Sequence, residues 1–194
     1  MNIILPDRMD GMPAQTLEDV RQVTLIGANG SGKTRFAHWL VDKYCHKAYR
    51  ISALKALFPA TERNELEDSI DRQYEEATAS SPYYKNDSAT EFQRLIFLLL
   101  HDEFLDLLKY KALLKLDMTN GEKMPLTKFD KVARMWQDIF PNNRIMRDGG
   151  KMLFTNEKTD ETFTEIKLSD GEKAVLYYIA AVLYAKKDAI IFVD

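Results

Sequence analysis

Apolar positions along this chain follow strand, helix and strand rhythms in turn. Val23 to Ile26 is a short aliphatic and β-branched run ending at a glycine cluster, which predicts a buried strand. Lys33 to Lys47 follows as a helix, with Phe36, Ala37, Leu40, Val41 and Tyr44 recurring on one face. Ala48 to Ser52 reads as a second strand. Strand, glycine loop, helix, strand is the opening of an α/β fold with a parallel sheet.

From Thr61 to Leu116 the spacing is helical, interrupted by a turn-rich stretch from Ser80 to Asp87. Ser88 and Glu91 are spaced as a capping box, and Phe92, Leu95, Ile96, Leu99 and Phe104 supply the apolar stripe behind it. Asp117 to Pro125 reads as a polar loop. Thr127 and Asp130 open a further helix that must end before Pro141. After Pro141 the period falls to two. Arg144 to Thr155 and Thr162 to Leu168 are expected as strands of a β-hairpin, turning at Asn156 to Asp160. Ser169 begins a helix running to about Lys186, and Ala189 to Val193 is a last apolar strand ending in Asp194. The expected organisation is a single domain: a core over 1–60, a helical insert over 61–140, and the hairpin, final helix and last strand over 141–194.

Composition narrows the class of protein. Of the 194 residues, 45% are hydrophobic and 29% charged, with 27 Lys and Arg against 30 Asp and Glu for a net charge of −3. This is the balance of an ordinary globular chain, large enough to need no disulfide staples. Near-neutral charge argues against a blanket electrostatic grip on nucleic acid. Cys45 is the single cysteine, so no disulfide framework and no Cys-based zinc site can form within the chain. Met1 to Met12 lacks the pattern of a signal peptide. The longest apolar run, Ala174 to Ala185, falls well short of the ~20 residues of a membrane span. A cytoplasmic protein is expected.

The chemistry begins at Gly27-Ala28-Asn29-Gly30-Ser31-Gly32-Lys33-Thr34, which fits G-x-x-x-x-G-K-S/T in full. Glycines let the backbone curl so that successive N–H groups face phosphate oxygens. The following helix aims its N-terminus, worth roughly half a positive charge, at the same anion. Lys33 would reach the β- and γ-phosphates, and the Thr34 hydroxyl suits Mg²⁺. A chance match in a chain of this composition is on the order of one in a hundred. Gly27, Asn29, Gly30, Ser31, Gly32, Lys33 and Thr34 are therefore the expected binding residues for ATP and Mg²⁺.

A second segment narrows the choice among nucleotide binders. Leu168-Ser169-Asp170-Gly171-Glu172-Lys173 precedes an apolar helix, which leads to Ala189-Ile190-Ile191-Phe192-Val193-Asp194. Ser169 offers a hydroxyl and Gly171 an unhindered N–H at a helix N-terminus, a second anion-binding feature. Ser169 and Glu172 also form a plain capping box, and the two readings are compatible. Cradle, hexapeptide and strand together resemble ABC-type ATPases, in which an L-S-G-G-Q-type signature leads into a Walker B strand. The resemblance covers most of the chain except the helical insert. It implies a P-loop NTPase sheet and a head-to-tail homodimer in which the signature of each copy closes on the γ-phosphate held by the other. It also implies that Lys33 and Asp194 carry the catalytic roles, with Asp194 holding the Mg²⁺ shell. The glutamate that activates water in this family follows the Walker B aspartate. The chain is accordingly expected to be the N-terminal part of a longer ATPase or half of a split one, slow to hydrolyse alone.

The S-D-G-E-K form resembles the soluble SMC-like, RecF-like and OLD-type heads of DNA maintenance and defence more than the glutamine-ended transporter form. No heptad pattern supports a long coiled-coil arm. A transporter nucleotide-binding subunit and a small-molecule kinase are the alternatives. Gln93 and Gln73 are weak candidates for the glutamine that senses Mg²⁺ and the γ-phosphate in ABC-type ATPases, and Arg8 or Met9 for stacking on adenine. His38, His46 and His101 show no metal-ligand spacing. Lys109, Lys111, Lys115, Lys123, Lys128, Lys131 and Arg134 give the insert a basic tinge, read first as a solvated face and second as a contact for nucleic acid or an effector protein.

Overall fold

The computed structural model describes residues 2–7, 11–28, 30–44, 47–52, 56–57, 70–79, 89–116 and 123–193. The chain divides into two units, Met1–Trp39 and Leu40–Asp194.

In the first unit, β1 (Ile3–Ile4) pairs antiparallel with β2 (Thr16–Leu17), setting Ile3 opposite Leu17. The Leu5 N–H extends the ladder by donating to the Gln15 carbonyl at 2.8 Å. Residues 22–28 hold no regular secondary structure. The strand expected at Val23 to Ile26 is therefore not formed, and its side chains are exposed, 93% for Ile26. A β-branched run becomes a strand only when a neighbour takes its N–H and C=O groups. The two strands of this unit take each other's instead. Helix α1 (Lys33–Lys43) begins directly after the glycine loop and runs across the division between the units.

The second unit is a mixed α/β assembly. Strand β3 (Ala48–Ile51) pairs in parallel with β7 (Ile190–Val193), Ala48 opposite Ile190 and Ile51 opposite Val193. The opening pattern leads one to expect a parallel sheet that includes Val23 to Ile26; the parallel partner of β3 is instead the last strand. Among the described residues, β3 is followed by the helices α2 (Ile70–Ala79), α3 (Glu91–Lys115) and α4 (Lys128–Ile139). The cap of α3 is Thr90 rather than Ser88, which lies outside the described residues. Thr90 Oγ1 accepts from the Gln93 N–H while Gln93 Oε1 accepts from the Thr90 N–H, closing a box two residues further on. Thr127 and Asp130 cap α4 as expected.

The expected hairpin is a three-stranded antiparallel sheet, β4 (Asn143–Asp148), β5 (Lys151–Asn156) and β6 (Glu161–Thr164), in that order. The stretch Arg144 to Thr155 is two strands because Gly149 and Gly150 turn the chain in its middle. Helix α5 (Asp170–Ala181) follows a single 3₁₀ turn and ends in another, Val182–Tyr184, earlier than Lys186.

One core joins these parts. Trp136 of α4 is fully buried, with Phe140 at 4.4 Å and Phe154 at 5.4 Å between ring centroids. Leu95 and Leu99 of α3, Met152 of β5 and Leu176 and Ala180 of α5 are each 0% exposed in the same cluster. The helices of residues 70–139 thus share their core with the three-stranded sheet and α5. The Tyr177 hydroxyl donates to the Glu91 carboxylate, tying α5 to the first turn of α3.

Candidate functional site

The glycine loop lies in the first unit. Its curl is set by Gly30 at φ +81° and Gly32 at φ +88°, left-handed values that residues with a Cβ rarely adopt. The Ser31 N–H donates to the Ala28 carbonyl at 3.1 Å, closing the turn, and the Phe36 N–H donates to the Gly32 carbonyl at 2.9 Å, starting α1. Gly27 is favoured by close approach: a Cβ there would overlap Ser31 Oγ. Lys33 folds back over the loop, its Nζ donating to the Gly27 carbonyl at 2.7 Å and the Ala28 carbonyl at 2.9 Å. The structure thus brings Gly27, Ala28, Ser31 and Lys33 into one arrangement, with one ammonium poised at the mouth of a tight backbone curl. Asn29 lies outside the described residues, as do Arg8, Met9, Cys45, His46 and Asp194.

This geometry suits an anion. A curl of glycine backbone at a helix start presents N–H groups and the positive end of the helix to one point. The loop is exposed, so an incoming ligand meets no barrier from the described residues. Gly27 lets Ser31 pack close against the loop backbone, and the lysine supplies the charge a polyphosphate needs.

The second candidate stands on the tip of α5, in the other unit. Buried Leu168 anchors the approach, while Ser169, Asp170 and Gly171 are exposed. Ser169 caps the helix: its Oγ accepts from the Glu172 N–H at 3.3 Å, and its own N–H donates to Glu172 Oε2 at 2.9 Å. The Ser169 hydroxyl also donates to Glu172 Oε2 at 2.7 Å. A Cβ on Gly171 would meet nothing within 4 Å, so this face of the tip is open.

Several of the weaker candidates have structural tasks. Gln93 is committed to the α3 cap, and the Gln73 amide donates to the Tyr184 carbonyl at 3.2 Å. His101 stacks on Phe97 at 5.6 Å. Of the basic residues in the insert, Lys128 is withdrawn into a cluster that the sequence pattern gave no sign of. Its Nζ donates to Asp102 Oδ2 at 2.7 Å and lies 4.0 Å from the centre of the Tyr184 ring. Burial pushes the Tyr184 hydroxyl far above the ordinary tyrosine range, and the neighbouring Asp102 pushes it further. Contacts of this kind join residues far apart in sequence and leave no local pattern.

Among the described residues, no group of three or more His, Cys, Asp or Glu side chains is placed to hold a metal ion, and no helix is long and apolar enough to cross a membrane. No family model, no curated protein and no solved structure matches the chain.

Proposed function

We propose that this chain is an ATP-binding head of the ABC type, holding the triphosphate of ATP-Mg²⁺ in the glycine loop and associating with a second copy around it. The observation that carries the proposal is the loop itself: Gly30 and Gly32 in left-handed conformations, the start of α1 at Lys33, and the Lys33 ammonium already folded over the curl. When bound, Mg²⁺ would neutralise phosphate charge, with the Thr34 hydroxyl and Asp194 as its ligands in this reading. Lys33 exchanges its two backbone carbonyls for phosphate oxygens, and the loop N–H groups orient the triphosphate.

The open tip of α5 supports the second half of the proposal. In this reading the Glu172 carboxylate gives up the Ser169 hydroxyl and N–H to a second copy's γ-phosphate, which approaches over the open Gly171. DNA maintenance or defence is the setting in which this reading places the nucleotide cycle. Light scattering with a non-hydrolysable ATP analogue and Mg²⁺ tests it. Nucleotide should raise the mean mass of the wild-type chain above its nucleotide-free value, and neither Lys33→Ala nor Ser169→Arg should show the increase. Equal increases in all three chains would refute the two-sided grip.

A further inference from the structure

The glycine loop carries a reactive pair as well as a binding motif. Asn29 is followed directly by Gly30, and the chain holds one other such pair, Asn120–Gly121. The backbone nitrogen after an asparagine is a nucleophile toward its side-chain amide, and glycine, lacking a Cβ, shields that nitrogen least. The described neighbours add no cover. Gly30 is exposed, its φ is +81°, and a Cβ built on it would meet no atom within 4 Å.

The attacking species is the nitrogen after loss of its proton. Lys33 stands beside it, with its ammonium on the Gly27 and Ala28 carbonyls, and α1 aims its positive end at the same curl. The field that suits a phosphate therefore also favours an amide anion at Gly30.

We infer that Asn29 is a site of spontaneous deamidation and that its conversion ends nucleotide binding, the second half resting on the function proposed above. The Gly30 nitrogen bonds to Asn29 Cγ, the Cγ–Nδ2 bond breaks, and ammonia leaves with the proton that the nitrogen gave up. Water then opens the succinimide at either carbonyl, to aspartate or to isoaspartate. Both products bring a negative charge into a loop that faces phosphates. Isoaspartate also adds a carbon to the main chain, inside the turn that the Ser31 N–H closes on the Ala28 carbonyl at 3.1 Å. That carbonyl holds Lys33 at 2.9 Å, so the ammonium is displaced with it. Bound triphosphate acts the other way. A Gly30 N–H that donates to a phosphate oxygen keeps its proton, so an occupied loop keeps its amide.

Peptide mapping by mass spectrometry during incubation at mildly alkaline pH, with and without ATP-Mg²⁺, tests the inference, and isoaspartate methyltransferase reports the isoaspartate formed. Asn29 should convert, and the fraction of chain that binds a fluorescent ATP analogue should fall in step. ATP-Mg²⁺ should slow conversion at Asn29 several-fold and leave Asn120 as it was. Freshly prepared Asn29→Asp should bind the analogue at least roughly tenfold more weakly than wild type. Conversion should be slower in Lys33→Ala, and equal rates would overturn the part given to the lysine. An Asn29 that keeps its amide overturns the inference, as does a converted chain that binds the analogue like fresh protein. A fresh wild-type chain that converts at Asn29 but never binds the analogue upholds the modification and overturns the proposed function with it, so the two failures are told apart.

Discussion

Adding one methyl group at Gly27 probes the glycine loop with the least chemical disturbance. The Cβ of Gly27→Ala would overlap Ser31 Oγ, stand 3.2 Å from Ser31 Cβ and 3.9 Å from Lys33 Cγ. The serine hydroxyl can rotate away, but Ser31 Cβ cannot, so the loop backbone must yield by a few tenths of an ångström. Overpacking of this kind costs about 1–3 kcal/mol. An exposed loop yields more easily than a core, which places the cost near the lower bound. The displacement falls on the Gly27 carbonyl, which holds Lys33 at 2.7 Å. Expressed as nucleotide affinity, about 1 kcal/mol is roughly a fivefold loss. Titration with a fluorescent ATP analogue measures it. Adding Ser31→Ala should recover part of the loss, since it removes the hydroxyl and leaves the 3.2 Å contact. Adding Ser31→Gly instead should recover most of it. A Gly27→Ala chain that binds like wild type, or a loss indifferent to residue 31, would refute the reasoning.

Two further outcomes follow from the described contacts. Ser169→Ala removes the side-chain cap of α5 and should cost about 1 kcal/mol, lowering the thermal midpoint by about 2–4 °C. Ser169→Thr, whose hydroxyl can still accept from the Glu172 N–H and donate to its carboxylate, should melt near wild type, and equal melting of all three chains would remove Ser169 from the helix's stability. Tyr184 makes the fold sensitive to alkali. Its buried hydroxyl stays protonated in the folded chain while the unfolded chain ionises near pH ~10, so its contribution is intact below that pH and declines above it. The decline is about 1.4 kcal/mol per pH unit. Urea melts from neutral pH upward should show a shallower alkaline slope for Tyr184→Phe than for wild type, and identical slopes would place the hydroxyl in water.

Much of the secondary structure could be read from local spacing. The boxes Thr127 with Asp130 and Ser169 with Glu172 mark helix starts that the structure keeps, and Ala48 and Ile190 head strands that do pair in parallel. What local spacing misjudged depends on distant partners or on competing turns. Val23 to Ile26 has the composition of a strand, yet no strand among the described residues pairs with it. Arg144 to Thr155 reads as one strand by composition, yet Gly149 and Gly150 fold it on itself. Ser88 with Glu91 and Thr90 with Gln93 compete for the same helix start, and Gln93 reaches back to close the second box. For the candidate site, the glycine motif named the loop residues outright, because a curled glycine loop is built from consecutive positions. The self-contact of Lys33 and the cluster of Asp102, Lys128 and Tyr184 arise from folding and carry no motif.

The central claim is that Lys33 and the glycine loop around it grip a polyphosphate. Calorimetric titration of ATP-Mg²⁺ into the wild-type and Lys33→Ala chains tests it most directly, with adenosine as the phosphate-free control. Wild type should bind ATP and ignore adenosine, and Lys33→Ala should lose about 1.5–3 kcal/mol of affinity, the range for a hydrogen bond to a charged group. Undiminished ATP binding by Lys33→Ala, or equal heats for ATP and adenosine, would contradict it.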